Sequence, residues 1–178
     1  METKVIKSSN KKVLLSIIGC LVFVILGILF IVVPHIFITR LINNTLLIQF
    51  IGLVAVFFFG FILIIMVKKR LFDKNMGIIV NEEGIIDNSS FVGVGLIKWD
   101  DIISIEKSNV ASVNFLFIKV KNPEGYINIS NGIKSKLLKA NYRSYGTPIS
   151  ISSNFVYCNF TQLEDMILSS FEKYRMNK

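Results

Sequence analysis

The sequence predicts a membrane α-hairpin of two transmembrane helices followed by a small α+β soluble domain, and three observations carry that prediction. Two uncharged apolar runs of 21 and 22 residues lie within the first 67 positions. Apolar residues make up 52% of the 178-residue chain and charged residues only 18%, so part of it must be solvated by lipid. Beyond residue 75 the long apolar runs give way to short β-rich stretches separated by turn residues.

The first helix is predicted at about residues 13–33, where 17 of 21 residues are Leu, Ile, Val or Phe. At 1.5 Å per residue this run spans roughly 30 Å of hydrocarbon. It exceeds the apolar core of a cleaved signal peptide, and Pro34-His35-Ile36 follows instead of a small-residue cleavage pattern. The second helix is predicted at about residues 46–67, again with 17 residues of those four types and with Gln49 as its one strongly polar side chain. Gly19, Gly27, Gly52, Ala55 and Gly60 would let the two backbones approach closely, which predicts a packed hairpin.

The net charge of +8 invites a nucleic-acid reading, but its distribution argues against one. Residues 75–178 hold eleven basic and ten acidic groups, so the excess sits beside the apolar runs. Lys4, Lys7, Lys11 and Lys12 precede the first run, Arg40 lies in the loop, and Lys68, Lys69, Arg70 and Lys74 follow the second. Cations are retained on the cytoplasmic side, so both termini are expected in the cytoplasm with residues 34–45 outside. The boundary is drawn at 74/75, with residues 1–74 as the hairpin and residues 75–178 as a domain able to fold alone.

In that domain, residues 76–81 and 84–88 are predicted to pair around Glu82-Glu83-Gly84, with further strands at 95–99 and 102–107. Residues 113–121 form the longest candidate strand. Asn122-Pro123-Glu124-Gly125 is expected to turn it back into a strand at 126–130. A short helix or basic segment is expected between 132 and 142, with Ile133, Leu137 and Leu138 opposite the lysines, and a strand at 147–152. Thr161-Gln162-Leu163-Glu164 matches a capping box opening a C-terminal amphipathic helix.

The order of two apolar helices, then Gly77-Ile78-Ile79-Val80, Ile97-Lys98-Trp99-Asp100-Asp101-Ile102 and Gly146-Thr147-Pro148-Ile149-Ser150-Ile151 resembles a family of uncharacterised bacterial membrane proteins with a pleckstrin-homology-like domain. The resemblance covers nearly the whole chain. It implies a seven-stranded partly closed β-barrel capped by a C-terminal helix, and no particular activity, because that fold hosts many binding roles.

The residues that could carry chemistry do not converge in the sequence. His35, the single histidine, adjoins a membrane run, which leaves no Ser-His-Asp or Cys-His triad for the soluble domain. His35, Cys20 and Cys158 are too scattered to hold zinc. Asp100 and Asp101 stand at a strand corner where alternation turns them apart. Gly93-Val94-Gly95 lacks the third glycine, the Lys-Ser/Thr pair and the following helix of a phosphate loop. Trp99 reads as core packing. No catalytic residue, metal or cofactor is assigned.

One cluster stands out, Lys134, Lys136, Lys139 and Arg143, four cations within ten residues and no acid among them. Either they form a solvated face, or they meet the anionic headgroups of the leaflet that tethers the domain. The expectation for the whole chain is a non-enzymatic binding or regulatory module at the inner face of the bacterial membrane that recognises a protein or peptide. The alternative is an immunity protein that blocks a toxin or bacteriocin at that membrane.

Overall fold

The computed structural model describes residues 2–39, 42–72 and 77–177, the last four of the second stretch by backbone alone. Arg40, Asp73, Lys74, Met76 and the side chains of Lys69 and Arg70, which entered the reading of charge and strands, lie outside the described residues. The chain divides into two compact units, one of residues Asn10–Lys74 and one combining Met1–Ser9 with Asn75–Lys178.

The helical unit contains α1, Asn10–Val32, a 3-10 turn at Pro34–Phe37, and α2, Thr45–Phe72. Both helices are long and apolar enough to cross a membrane. Asn44 starts α2 by accepting hydrogen bonds from the backbone N–H groups of Leu46 and Leu47, at 3.0 and 3.3 Å. Of the small residues, Gly27 and Gly52 set the helix crossing. A Cβ on Gly52 would lie 2.6 Å from the Gly27 carbonyl oxygen, whereas Gly19 and Gly60 face open space. Phe23 stacks on Phe59 with centroids 4.3 Å apart, and the Gln49 amide donates to the Ile31 carbonyl, 3.2 Å away. That bond satisfies the polar side chain across the pair, the arrangement hydrocarbon surroundings favour.

The β unit begins before α1. Lys4–Lys7 forms β1, which pairs antiparallel with β2, Gly77–Val80, so that Lys7 stands opposite Gly77. The helical unit is therefore inserted between two paired strands, and the domain drawn at residue 75 gains the nine residues that precede α1. Then follow β3, Gly84–Asp87, β4, Gly95–Lys98, β5, Ile102–Val110, and β6, Val113–Val120. Next are α3, Pro123–Asn128, α4, Gly132–Tyr145, β7, Ile149–Ile151, and α5, Phe160–Met176. The strands form two antiparallel sheets, β1-β2-β3-β4 and β5-β6-β7. Seven strands are present among the described residues, but as a four-stranded and a three-stranded sheet, which corrects the single partly closed barrel.

Two local expectations change as well. The return strand at 126–130 is helix α3. Asn122 accepts from the Gly125 N–H at 3.0 Å and Pro123 occupies the first turn, so the residues read as a turn act as a helix start. The partner of β6 is instead β5, joined through Ala111 and Ser112 with φ of 48° and 66°. Two successive left-handed residues match the twist of a two-residue hairpin. The capping box of α5 is Asn159 with Gln162, two residues upstream of Thr161, with reciprocal bonds of 2.8 and 3.1 Å. That earlier start brings Phe160 into the helix and against the core.

Alternation sends Ile78 and Val80 of β2, Leu116, Ile118 and Val120 of β6, and Ile149 and Ile151 of β7 inward. They join Ile97, Trp99 and the Leu163, Ile167 and Phe171 face of α5 in one buried cluster shared by both sheets. Trp99 is buried, donates from its indole N–H to the Asn81 carbonyl at 2.9 Å, and stacks near Phe171 and Tyr174. Its place is in the core.

Candidate functional site

The basic segment is helix α4. It opens after Asn131 and closes at Gly146, whose φ of 72° lets its N–H reach back to the Tyr142 carbonyl at 2.9 Å. Of its four cations, the structure keeps three on one outer stripe and removes the fourth. Lys134 is half-buried, and its Nζ donates to the Gly93 carbonyl in the β3–β4 loop. Lys134 therefore fastens α4 to that loop.

Lys136, Lys139 and Arg143 are exposed. Their spacing of three and then four residues puts them within about 60° of arc on the helix surface. The one fully buried side chain of α4 is Leu138, on the side away from them. Ile133 and Leu137, expected to pack inward with it, are 47% and 43% exposed. They lie on the outer surface beside the cationic stripe, and Ile129, just before the helix, is 67% exposed. The outer face of α4 is thus half cationic and half apolar.

The loop that holds Lys134 borders the points where the chain leaves and re-enters the β unit. The N–H of Asn88 donates to the Gly77 carbonyl at 2.9 Å. Gly93 packs so closely that a Cβ there would lie 2.6 Å from the Asp87 carbonyl oxygen. Asp87 is itself buried, and its carboxylate accepts from the Ser89 N–H and hydroxyl at 2.9 and 2.6 Å, which fixes the start of the loop. The glycine pair Gly93 and Gly95 thus serves a tight loop. On the other side of the same exit, the Tyr157 N–H donates to the Lys7 carbonyl at 2.9 Å while its side chain stays 74% exposed.

Asp100 and Asp101 do diverge, but they lie in a 3-10 turn, Trp99–Asp101, so the turn's roughly 120° per residue separates them and not the alternation of a strand. Asp100 accepts from the Tyr174 hydroxyl of α5 at 2.8 Å, and Asp101 from the Tyr126 hydroxyl of α3 at 2.9 Å. Each carboxylate ties down a different helix. Burial, reinforced by the neighbouring Asp101 carboxylate, pushes the Tyr126 phenol up to about 12. On the outward side of β5 and β6, the Lys119 ammonium lies 2.6 Å from the Glu106 carboxylate and holds it below its usual range.

No family model, curated protein or solved structure matches the chain.

Proposed function

We propose that the protein is a membrane-anchored binding module of the pleckstrin-homology-like kind, held at the inner face of the bacterial cytoplasmic membrane, that recognises an extended segment of a protein partner. The observation that carries the recognition is β5. It runs for nine residues along the edge of its sheet, so its outer row of N–H and C=O groups has no strand partner among the described residues. A peptide adding to such an edge gains main-chain hydrogen bonds, with side chains alternating into the surface beside it. Ile103, 59% exposed on this strand, offers such a peptide an apolar hold.

The anchoring rests on the strand pairing. The pairing of Lys7 with Gly77 supports departure for the helices and return on one side of the membrane. Two crossings meet that condition and an odd number does not. The basic flanks then assign that side to the cytoplasm. The seven strands among the described residues and the closing helix agree in number with what the family resemblance implies.

In native membranes the protein is expected to resist alkaline carbonate extraction. Cys158 is expected to be protected from an impermeant maleimide in intact spheroplasts and to react after lysis in denaturant. A photo-crosslinking side chain at Ile103 or Ser108 is expected to yield one defined protein adduct that the same group at Met176 does not. An adduct from Met176 with none from β5 would place recognition elsewhere, and labelling of Cys158 in intact cells would put the domain outside.

A further inference from the structure

The outer face of α4 is built like a helix that lies in a lipid interface. Such a helix sets a basic stripe beside an apolar one. Here Lys136, Lys139 and Arg143 supply the first, and Ile133 and Leu137 supply the second. No acid occurs in α4 to oppose an anionic surface. Two further facts favour lipid as the occupant. Lys134 pins the first turn of the helix to the loop that also contacts Gly77, where the chain re-enters the β unit from its apolar helices. Exposed aromatic side chains, Phe91 in that loop and Tyr157 beside Lys7, flank the same exit. Aromatic rings of this sort concentrate at membrane–water boundaries.

We propose that α4 docks, by this face, on the anionic lipid surface of the membrane in which the same chain is anchored. Leu137 and Ile133 would enter the headgroup boundary while Lys136, Lys139 and Arg143 meet the phosphates. Lys134 has no part in the contact and serves to position the helix. Three cations near an anionic surface favour the docked state roughly 100-fold. Tethering by the apolar helices supplies a high effective concentration, so an attraction too weak to recruit a free domain suffices here.

The inference rests on the anchoring proposed above, and the experiment separates the two. The full chain, with Cys20 and Cys158 changed to Ser and Leu137→Cys carrying an environment-sensitive fluorophore, is placed in nanodiscs of phosphatidylcholine alone or with phosphatidylglycerol. With phosphatidylglycerol the emission is expected to shift to the blue and to be quenched by nitroxide-labelled lipid. The effect should weaken toward 1 M salt, where the screening length falls to about 3 Å. The same probe at Met176→Cys should report water in both lipids. Changing Lys136, Lys139 and Arg143 to Gln should return the Leu137 probe to water without altering the circular dichroism spectrum. A fluorophore at Ile133→Cys repeats the measurement independently. Water-like emission from both α4 sites in the anionic discs, or an unchanged shift in the triple Gln variant, overturns the proposal. A shift that arises only when a membrane protein extract is added also overturns it, in favour of a protein occupant. A chain that carbonate strips from membranes fails the anchoring reading instead.

Discussion

Helices α4 and α5 have similar lengths and belong to the same unit, yet they are held in opposite ways. Helix α5 buries Leu163, Ile167, Ser170 and Phe171, is closed at its start by the reciprocal bonds of Asn159 and Gln162, and is tied near its end by Tyr174 to Asp100. Helix α4 fully buries Leu138 alone and is held by two polar bonds, from Lys134 to Gly93 and from Asn141 to Ser150, and by the stacking of Tyr145 at its end on Phe117. The difference shows which helix builds the fold and which one the fold presents. A helix that contributes an apolar stripe to the core is stabilised mainly by that packing, whereas one that leaves its apolar stripe outside is free to use it for contact.

The sharpest way to break this comparison is to cut into the core side of α5. Leu163→Ala should destabilise the full-length protein by about 2 to 5 kcal/mol, as for other fully buried leucines, measured by chemical unfolding in detergent. A loss below about 0.5 kcal/mol, the range of ordinary surface changes, would mean that α5 does not close the core. Asn159→Ala should cost about 1 kcal/mol, because the Gln162 N–H in the first turn of the helix loses its side-chain acceptor. Gln162→Ala removes the other reciprocal bond, the one that its side chain accepts from the Asn159 N–H, and should cost no more than Asn159→Ala.

Tyr126→Phe tests a smaller effect, confined to alkaline solution. The folded phenol titrates near 12 against an ordinary value of 10.0. The folded state therefore holds the proton more tightly than the unfolded chain does. The resulting stability is complete below pH 10 and is lost as the pH rises toward 12. The parent protein should show a fall in melting temperature across that window that exceeds the fall in the Phe variant. Equal slopes would mean that Tyr126 does not sense its burial and Asp101 as the geometry requires.

The smallest expected effect is the most informative for α4. Replacing Lys136, Lys139 and Arg143 together by Gln should change stability by less than about 0.5 kcal/mol, since exposed charges contribute little to folding. If the triple variant melted far lower than the parent, the stripe would belong to the fold in the way the core face of α5 does. The contrast drawn between the two helices would then fail.

Much of this was legible in the sequence. The apolar runs mark α1 and α2, because each is an uninterrupted apolar stretch of about 20 residues, long enough as a helix to cross a membrane. The strands β2 to β7 appeared close to their predicted places, since the period of two shows wherever one face of a sheet is buried. The cations of α4 could be read as a cluster. Their division into one positioning residue and three outward ones could not, because it depends on Gly93, which lies 41 residues away in sequence.

Local signals left real ambiguities that neighbours resolved. Asn122-Pro123 serves equally well as a turn or as a helix start, and β5 and β7, by taking the two edges of β6, left the helix as the remaining choice. Asn159 and Thr161 both begin capping boxes, and the first brings Phe160 onto the core. Most of all, Lys4–Lys7 carries the look of a basic leader, because nothing within four residues reveals that a strand more than 70 positions away will pair with them. The sequence by itself determined which segments suit lipid and which suit water, because solvent preference is a local property of side chains. Only the tertiary structure decided that the apolar helical hairpin interrupts a sheet and that Ile133 and Leu137 stay uncovered, because strand pairing and burial are set by contacts between residues far apart along the chain.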